Sequence, residues 1–430
     1  MGDKPLPCDP LSVMRRPPVI PVDTRLSIMG DRYLELMEAD EGLRRTHVPF
    51  VALRGGELMA AGCADTPGMY YMIPALAATT GLRLSNAIDL FFAMIICLGA
   101  MAGIGGFFVL FNLRVSSYAA VLSILLLTCL ALRIGDVYLV MAAASMAVIP
   151  WTLVVVQRVK TPTILCMFGI AVGVVIGLAN VVRDQAATPL MFFVIIVLLM
   201  LPRLPLPVRI WSSALVVLGL ATPILAANQA LRYRDAYLHS VDHSYSPPSH
   251  HHVFWHTAYL GLGFIQNEVV PGYRDEVAIE AVRKVAPDVV YASAAYDAYL
   301  RPLVLDVVLH HRRLVAINVI AKVCVVFLWL LLFANVGLVL SILYPKPVAL
   351  ELAFWVAMLC ASVPGLIAVP TRSYLLGFCC IAGLYGIVSI NTALEAVDWR
   401  YTRTGFKKWI CEVMVLTDGR DRASQVRRIE

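Results

Sequence analysis

The chain is poor in charge. Of its 430 residues, 15% are Asp, Glu, Lys or Arg, against about 25% in an ordinary soluble domain. Set beside 60% hydrophobic residues, that deficit excludes a disordered, fibrous or ordinary soluble chain and implies a polytopic membrane protein. Three further shortages narrow the function. The long apolar runs hold almost no ionisable groups, only Lys322 and Glu351 beyond the flanking Arg209. Proton relays and ion pathways need carboxylates, His or Arg inside the membrane, and both residues here lie near run ends, within snorkelling reach of an interface. No internal repeat is visible, which weakens an inverted-repeat transporter. Seven of the ten cysteines fall inside apolar runs and none in the central hydrophilic stretch, so a disulfide framework is not expected.

What the chain has is hydrocarbon. Nine apolar runs cover roughly Leu90 to Phe111, Ser117 to Leu132, Val137 to Val156, Ile164 to Val182, Pro189 to Leu201, Val208 to Ala227, Val315 to Leu343, Val348 to Val369 and Ser373 to Ile390. The fifth is shorter than the ~17 residues a span needs and is expected to tilt or re-enter. The expected fold is therefore all-α, a bundle of about nine transmembrane helices with an interfacial helix near the N-terminus and a large external loop. Residues 1–89 form an external arm, 90–227 and 315–390 the transmembrane helices, 228–314 a His-rich and helical loop, and 391–430 a basic tail.

Connector charge orients this bundle, because basic residues are retained in the cytoplasm. Alternate connectors carry Arg114, Arg158 with Lys160, Arg203 with Arg209, Lys346 and then the Arg- and Lys-rich tail; the opposite set carries only Arg133, Arg183 and Arg372 outside the long loop. The tail is thus expected in the cytoplasm and loop 228–314 outside, in a membrane of the bacterial inner-membrane type. The net charge of +6 then reports topology, and no nucleic-acid partner is expected, since no basic stripe interleaved with stacking aromatics sits in a folded domain. An odd number of spans with an internal tail requires a translocated N-terminus, yet residues 1–60 contain neither a signal peptide nor a span. A further span ahead of this chain is the expectation.

Chemistry is left to the external face. Six of the nine histidines, His239, His243, His250, His251, His252 and His256, fall between residues 239 and 256. Three readings fit them: interfacial contacts beside Trp255, Tyr245 and Tyr259, binding of a phosphate or acceptor, or a metal site using His250, His252 and His256. His252 and His256 are four apart, on one helix face, but no HExxH accompanies them. Beyond Pro271, helical spacing runs through 275–285 and again from about Ala292 to His311, where the Tyr296 to Arg301 stretch suits an anionic headgroup. The arm supplies carboxylates at Asp31, Glu57 and Asp65. Asp65, ahead of Thr66 and Pro67, either starts the apolar helix of PGMYYMIPALAATTGL or serves as a general base or a ligand of a divalent ion, the one cofactor left open.

The GD-Y-LEL stretch ahead of PGMYYMIPALAATTGL, followed by short-connector spans and a large external loop, resembles the C-type glycosyltransferases, polytopic enzymes that use polyprenyl-phosphate-linked sugars. WHTAYLGLGF and YDAYLRPLVL also look like segments of bacterial membrane proteins related to that group. The resemblance implies a catalytic carboxylate in the first external loop, at Asp31 with Asp65 as second candidate. It implies a lipid phosphate held near the bilayer surface, for which Arg54, His252 and His256 are candidates, and as partners the lipid-linked sugar and membrane lipid. Glu57 and Arg301 complete the candidate substrate contacts. The chain departs from the family pattern in lacking the first span and, unless Asp40 and Glu41 supply it, an adjacent acidic pair. The competing class is a non-catalytic transporter or a lipid- or metal-binding scaffold built on the His-rich loop. An acyltransferase lacks its HxxxxD spacing, because the residues five after His252 and His256 are Thr257 and Gly261.

Overall fold

The computed structural model describes residues 30–62, 66–111, 115–135, 137–200, 204–245, 247, 254–289, 291 and 293–397. The arm comes first: α1 (Gly30–Thr46), a hairpin of β1 (Val51–Arg54) and β2 (Glu57–Ala60), and α2 (Met69–Thr80). The strands pair antiparallel from Val51↔Ala60 to Arg54↔Glu57. Gly55 and Gly56 between them sit at φ of 60° and 90°, the positive values that a two-residue type I′ turn demands of both central residues. The hairpin is an addition to the all-helical expectation. Its signal was present in VALR-GG-ELMA.

The membrane helices follow as α3 (Leu84–Phe111), α4 (Val115–Ile134), α5 (Leu139–Arg158), α6 (Pro162–Val182), α7 (Thr188–Leu199) and α8 (Leu206–Val241). Three loop helices come next, α9 (Phe254–Leu262), α10 (Asp275–Arg283) and α11 (Ala294–His310), and the bundle closes with α12 (Arg312–Leu343), α13 (Val348–Ile367) and α14 (Leu376–Ala396). Eight of these helices are long and apolar enough to cross a membrane, and the chain is an all-α polytopic membrane protein. Proline in the first turn opens α6, α7 and α8, where the missing N–H costs nothing. α5 and α14 are buried along most of their length and form the centre, while α8 and α12 turn most of their surface outward.

Close helix contact rests on small residues, as expected where lipid removes the hydrophobic drive between helices. The most extensive pairing joins α6 to α8. There Gly169, Gly173 and Gly177 form a line on α6, and a Cβ at Gly173 would stand 2.2 Å from the Val216 carbonyl oxygen.

All nine apolar runs became helices, and the short fifth is α7. At 12 residues it is ~18 Å long, well under the ~30 Å of hydrocarbon, and it is lodged against α13 with Phe193 and Phe354 in edge contact at 4.9 Å. α8 departs from expectation. It continues past Ala227 to Val241 as one helix of 36 residues, roughly 54 Å and so longer than the ~30 Å of hydrocarbon, and the expected start of the loop falls inside a continuous helix. The AANQALRYRDAYLHSV stretch is polar but contains no breaker.

Lys322 and Glu351 do not snorkel freely either. Lys322 is 4% exposed, and its ammonium donates to the Leu366 and Ile367 carbonyls at 3.0 and 3.1 Å, capping the C-terminal end of α13 where a cation is favoured. Glu351 meets Lys346 at 2.9 Å. Lys346 also donates to Ser389 at 2.7 Å and to Ser341 and lies over the Tyr385 ring, a buried polar knot tying α12, α13 and α14 together. Counting the passes in chain order, the described residues of the arm, of connectors 135–138, 183–187 and 368–375 and of loop 242–311 share one face of the bundle. Connectors 159–161 and 344–347 lie on the other.

Candidate functional site

Two groups of polar side chains occupy the arm-and-loop face, one at the mouth of the bundle and one in the loop. The mouth is built where three connectors and the arm converge. Arg183 is the C-cap residue of α6, placed to complement the negative end of that helix. It is 9% exposed, with its guanidinium 3.3 Å from the Tyr138 hydroxyl and 5.1 Å from the Tyr138 ring centre. The Tyr138 ring in turn makes an edge contact with Tyr374 at 5.5 Å. The arm is pinned here. The Asp184 N–H donates to the Thr66 hydroxyl at 2.8 Å, and a Cβ on Gly68 would lie 2.1 Å from the Val181 carbonyl oxygen. Gln185, in the same turn, holds φ at 59°, a left-handed conformation that costs a non-glycine residue ~1 kcal/mol or more. Asn180 steadies this turn, accepting from the Ala187 N–H at 2.8 Å.

The rest of the arm is held by charge and by α8. Arg54 pairs with Glu38 of α1 at 2.7 Å, both side chains nearly buried. Val51 and Ala60 of the hairpin pack with Leu238 of α8. Beneath them the fully buried Arg234 reaches the Asp235 carboxylate at 2.6 Å, which also accepts from the Tyr245 hydroxyl at 2.8 Å. Burial pushes the Tyr245 phenol well above its ordinary range, with the Arg234 charge opposing, so Tyr245 stays a proton donor.

The loop helices α9, α10 and α11 form their own small core around Tyr259, Ile279, Val282, Tyr296 and Leu300. His256 sits inside it, with Nδ1 2.8 Å from the Tyr296 hydroxyl and Nε2 3.1 Å from the Asp275 carboxylate. The pairing fixes roles: Nε2–H donates to Asp275, and Nδ1 accepts from the Tyr296 O–H. Burial, foremost, pushes the Tyr296 phenol far up, consistent with a neutral donor. Beside it the Asp297 carboxylate accepts from the Trp255 N–H at 3.2 Å; burial raises its pKa, and that hydrogen bond and His256 lower it. The Arg301 guanidinium lies 5.9 Å from the Trp255 ring centre.

The candidates from sequence are distributed as follows. Asp65, His250 and His252 lie outside the described residues, as does the side chain of Asp31, whose backbone is in the first turn of α1. The N-cap position of α2 is Gly68, without a side-chain cap. Glu57 is exposed at the hairpin tip. Arg54 and His256 belong to separate clusters: Arg54 meets Glu38 through Nε and Nη2, and both ring nitrogens of His256 have protein partners. In this arrangement the His256 ring is a clasp between α9, α10 and α11. No group of three or more His, Cys, Asp or Glu side chains able to hold a metal occurs among the described residues. Arg183, read in the sequence as a topology marker, is the residue missed. A buried arginine at a helix end is legible only once its neighbours are placed. No family model matches this chain, and neither a curated protein nor a solved structure is similar to it.

Proposed function

We propose that the chain is a membrane glycosyltransferase that moves a sugar from a polyprenyl-phosphate donor to an acceptor hydroxyl at the extracytoplasmic face. The reading rests on the resemblance in the arm and on one observation: the arm segment following Asp65 is bonded to the outer end of α6, beside the buried Arg183. Thr66, the residue after Asp65 in the chain, is held at the turn that follows Arg183, and the reading takes its carboxylate from Asp65 and its guanidinium from Arg183. Those are the two groups that inverting transfer needs. The carboxylate takes the proton of the acceptor hydroxyl as oxygen attacks the anomeric carbon. The guanidinium stabilises the phosphate that leaves with the bonding electrons, and does so more effectively out of water. Asp31, in the first turn of α1, is the alternative base. The loop module then covers the face rather than reacting.

The test is transfer of labelled sugar from a panel of polyprenyl-phosphate donors by the protein in proteoliposomes. Asp65→Asn or Asp31→Asn is expected to lower transfer by ~10²–10⁴-fold, the contribution of a general base, with normal expression and unfolding temperature. Wild-type rates in both variants would overturn the assignment. A scaffold role would instead show donor-independent behaviour and a partner lost when the loop is altered.

A further inference from the structure

α11 is apolar on two opposite faces. One carries Tyr296, Leu300, Val304 and Val307, all buried, three of them in the core of the loop module. The other carries Ala298, Pro302, Leu305 and Leu309, at intervals of four, three and four residues, hence in one line along the helix. All four are exposed, Leu309 by 56%. Single exposed leucines need no explanation, but a continuous apolar line does. One residue on, past His311, α12 begins, where Ile317 and Ile320 are 46% and 62% exposed on a helix long and apolar enough to span the bilayer. The exposed apolar line of α11 therefore leads directly in the chain to a span with exposed apolar residues of its own. At the junction stand His310, His311, Arg312 and Arg313, all exposed, with Arg301 one turn ahead of Leu305. His310 meets Asp306 at 2.8 Å, and Arg312 donates to the Leu309 carbonyl at 3.2 Å, contacts that fix the elbow.

We propose that α11 lies in the loop-side interface of the bilayer, sunk along Ala298, Pro302, Leu305 and Leu309 to the level of the acyl chains, with Arg312 and Arg313 on the phosphates of anionic lipid headgroups. An interfacial helix gains from both terms, apolar area buried below and charge at the surface. The loop module is then anchored at two edges, through α9 on the bundle and through α11 on the lipid. This placement is independent of the transferase reading.

The full chain in nanodiscs of mixed phosphatidylcholine and phosphatidylglycerol tests it. A photoreactive p-benzoylphenylalanine in place of Leu309 is expected to form lipid adducts, and the same label at Val285, 69% exposed beyond α10, to form none. No lipid adduct at 309, or equal adducts at both positions, overturns the placement. For the headgroups, the phosphatidylglycerol retained over phosphatidylcholine in native mass spectrometry is expected to fall by about fivefold for each arginine removed in Arg312→Gln and Arg313→Gln. The Arg→Lys pair is expected to keep the wild-type ratio, separating lost charge from lost folding. An unchanged ratio in the glutamine pair overturns the headgroup contact, as does displacement of phosphatidylglycerol by inorganic phosphate, which would make the cluster a site for soluble anions.

Discussion

Gly261→Ala tests how the loop module is seated. The last turn of α9 lies so close to the end of α13 that a Cβ on Gly261 would stand 1.9 Å from the Ile367 carbonyl oxygen, with the Lys322 ammonium at 2.9 Å. Restoring an ordinary contact of 3.4 Å requires α9 to rise by about 1.5 Å. The bond stretched by that movement is that of the Asn318 amide to the Leu262 carbonyl, 2.7 Å, worth about 1 kcal/mol. Adding the strain of overpacking, ~1–3 kcal/mol, the cost is about 2–4 kcal/mol. Since 1.4 kcal/mol is tenfold, local opening of α9–α11 should rise by roughly 30- to 700-fold. Hydrogen exchange by mass spectrometry on the reconstituted protein reads this directly: amides of α9, α10 and α11 exchange faster, and those of α5 and α14 do not change. Asn318→Ala, which loses only the neutral bond, should give about a fivefold increase in the same helices. Unchanged exchange in α9–α11, or equal acceleration throughout the bundle, would refute this seating.

Other consequences follow from single contacts. Gly173→Leu should push α6 from α8 and lower the unfolding temperature in detergent, at a cost of ~1–3 kcal/mol or more, whereas Gly105→Leu, whose nearest neighbour to an added Cβ is the Trp151 ring at 4.0 Å, should be tolerated. His256→Phe should destabilise the loop module by about 1–3 kcal/mol, because it leaves the buried Tyr296 hydroxyl without its acceptor and the Asp275 carboxylate without its donor. Adding Tyr296→Phe should recover part of that loss in a double-mutant cycle; strict additivity would sink the clasp. Arg54→Ala should cost more than Arg54→Met combined with Glu38→Met, since the single change strands a nearly buried carboxylate, and denaturant titration of the two variants compares them.

Much of the architecture was legible in the sequence because bilayer physics writes it there. Long uncharged runs have one stable solution, so the spans and the short α7 followed from run length alone. The helices over 275–283 and 294–310 followed from apolar spacing, and the structure adds the cap of the second, Ser293, which accepts from the Tyr296 N–H at 3.1 Å. Boundaries were harder. Polarity ended the sixth run at Ala227, but a helix does not stop for polarity alone, and α8 meets no Pro or Gly between Ala227 and Asp242. Side-chain roles were least legible. His256 looked like one of six exposed imidazoles until Tyr296 and Asp275, 40 and 19 residues away, closed around it. Arg183 looked like a stray charge until Tyr138 and Thr66, 45 and 118 residues from the turn residues they bond, made it part of a mouth. Both depend on long-range contacts that no local pattern encodes.

The most direct measurement of the proposed function is whether a polyprenyl phosphate binds at the mouth beside Arg183. A polyprenyl phosphate carrying a photoreactive group in its first isoprene, irradiated with the protein in nanodiscs, should label peptides containing residues 66–69, 138 and 183. Arg183→Gln should reduce that labelling at least tenfold, in line with the loss of a charged hydrogen bond of ~1.5–3 kcal/mol, without changing the unfolding temperature. Labelling confined to the opposite face of the bundle, or equal labelling with and without the Arg183 charge, would contradict a phosphate site at this mouth.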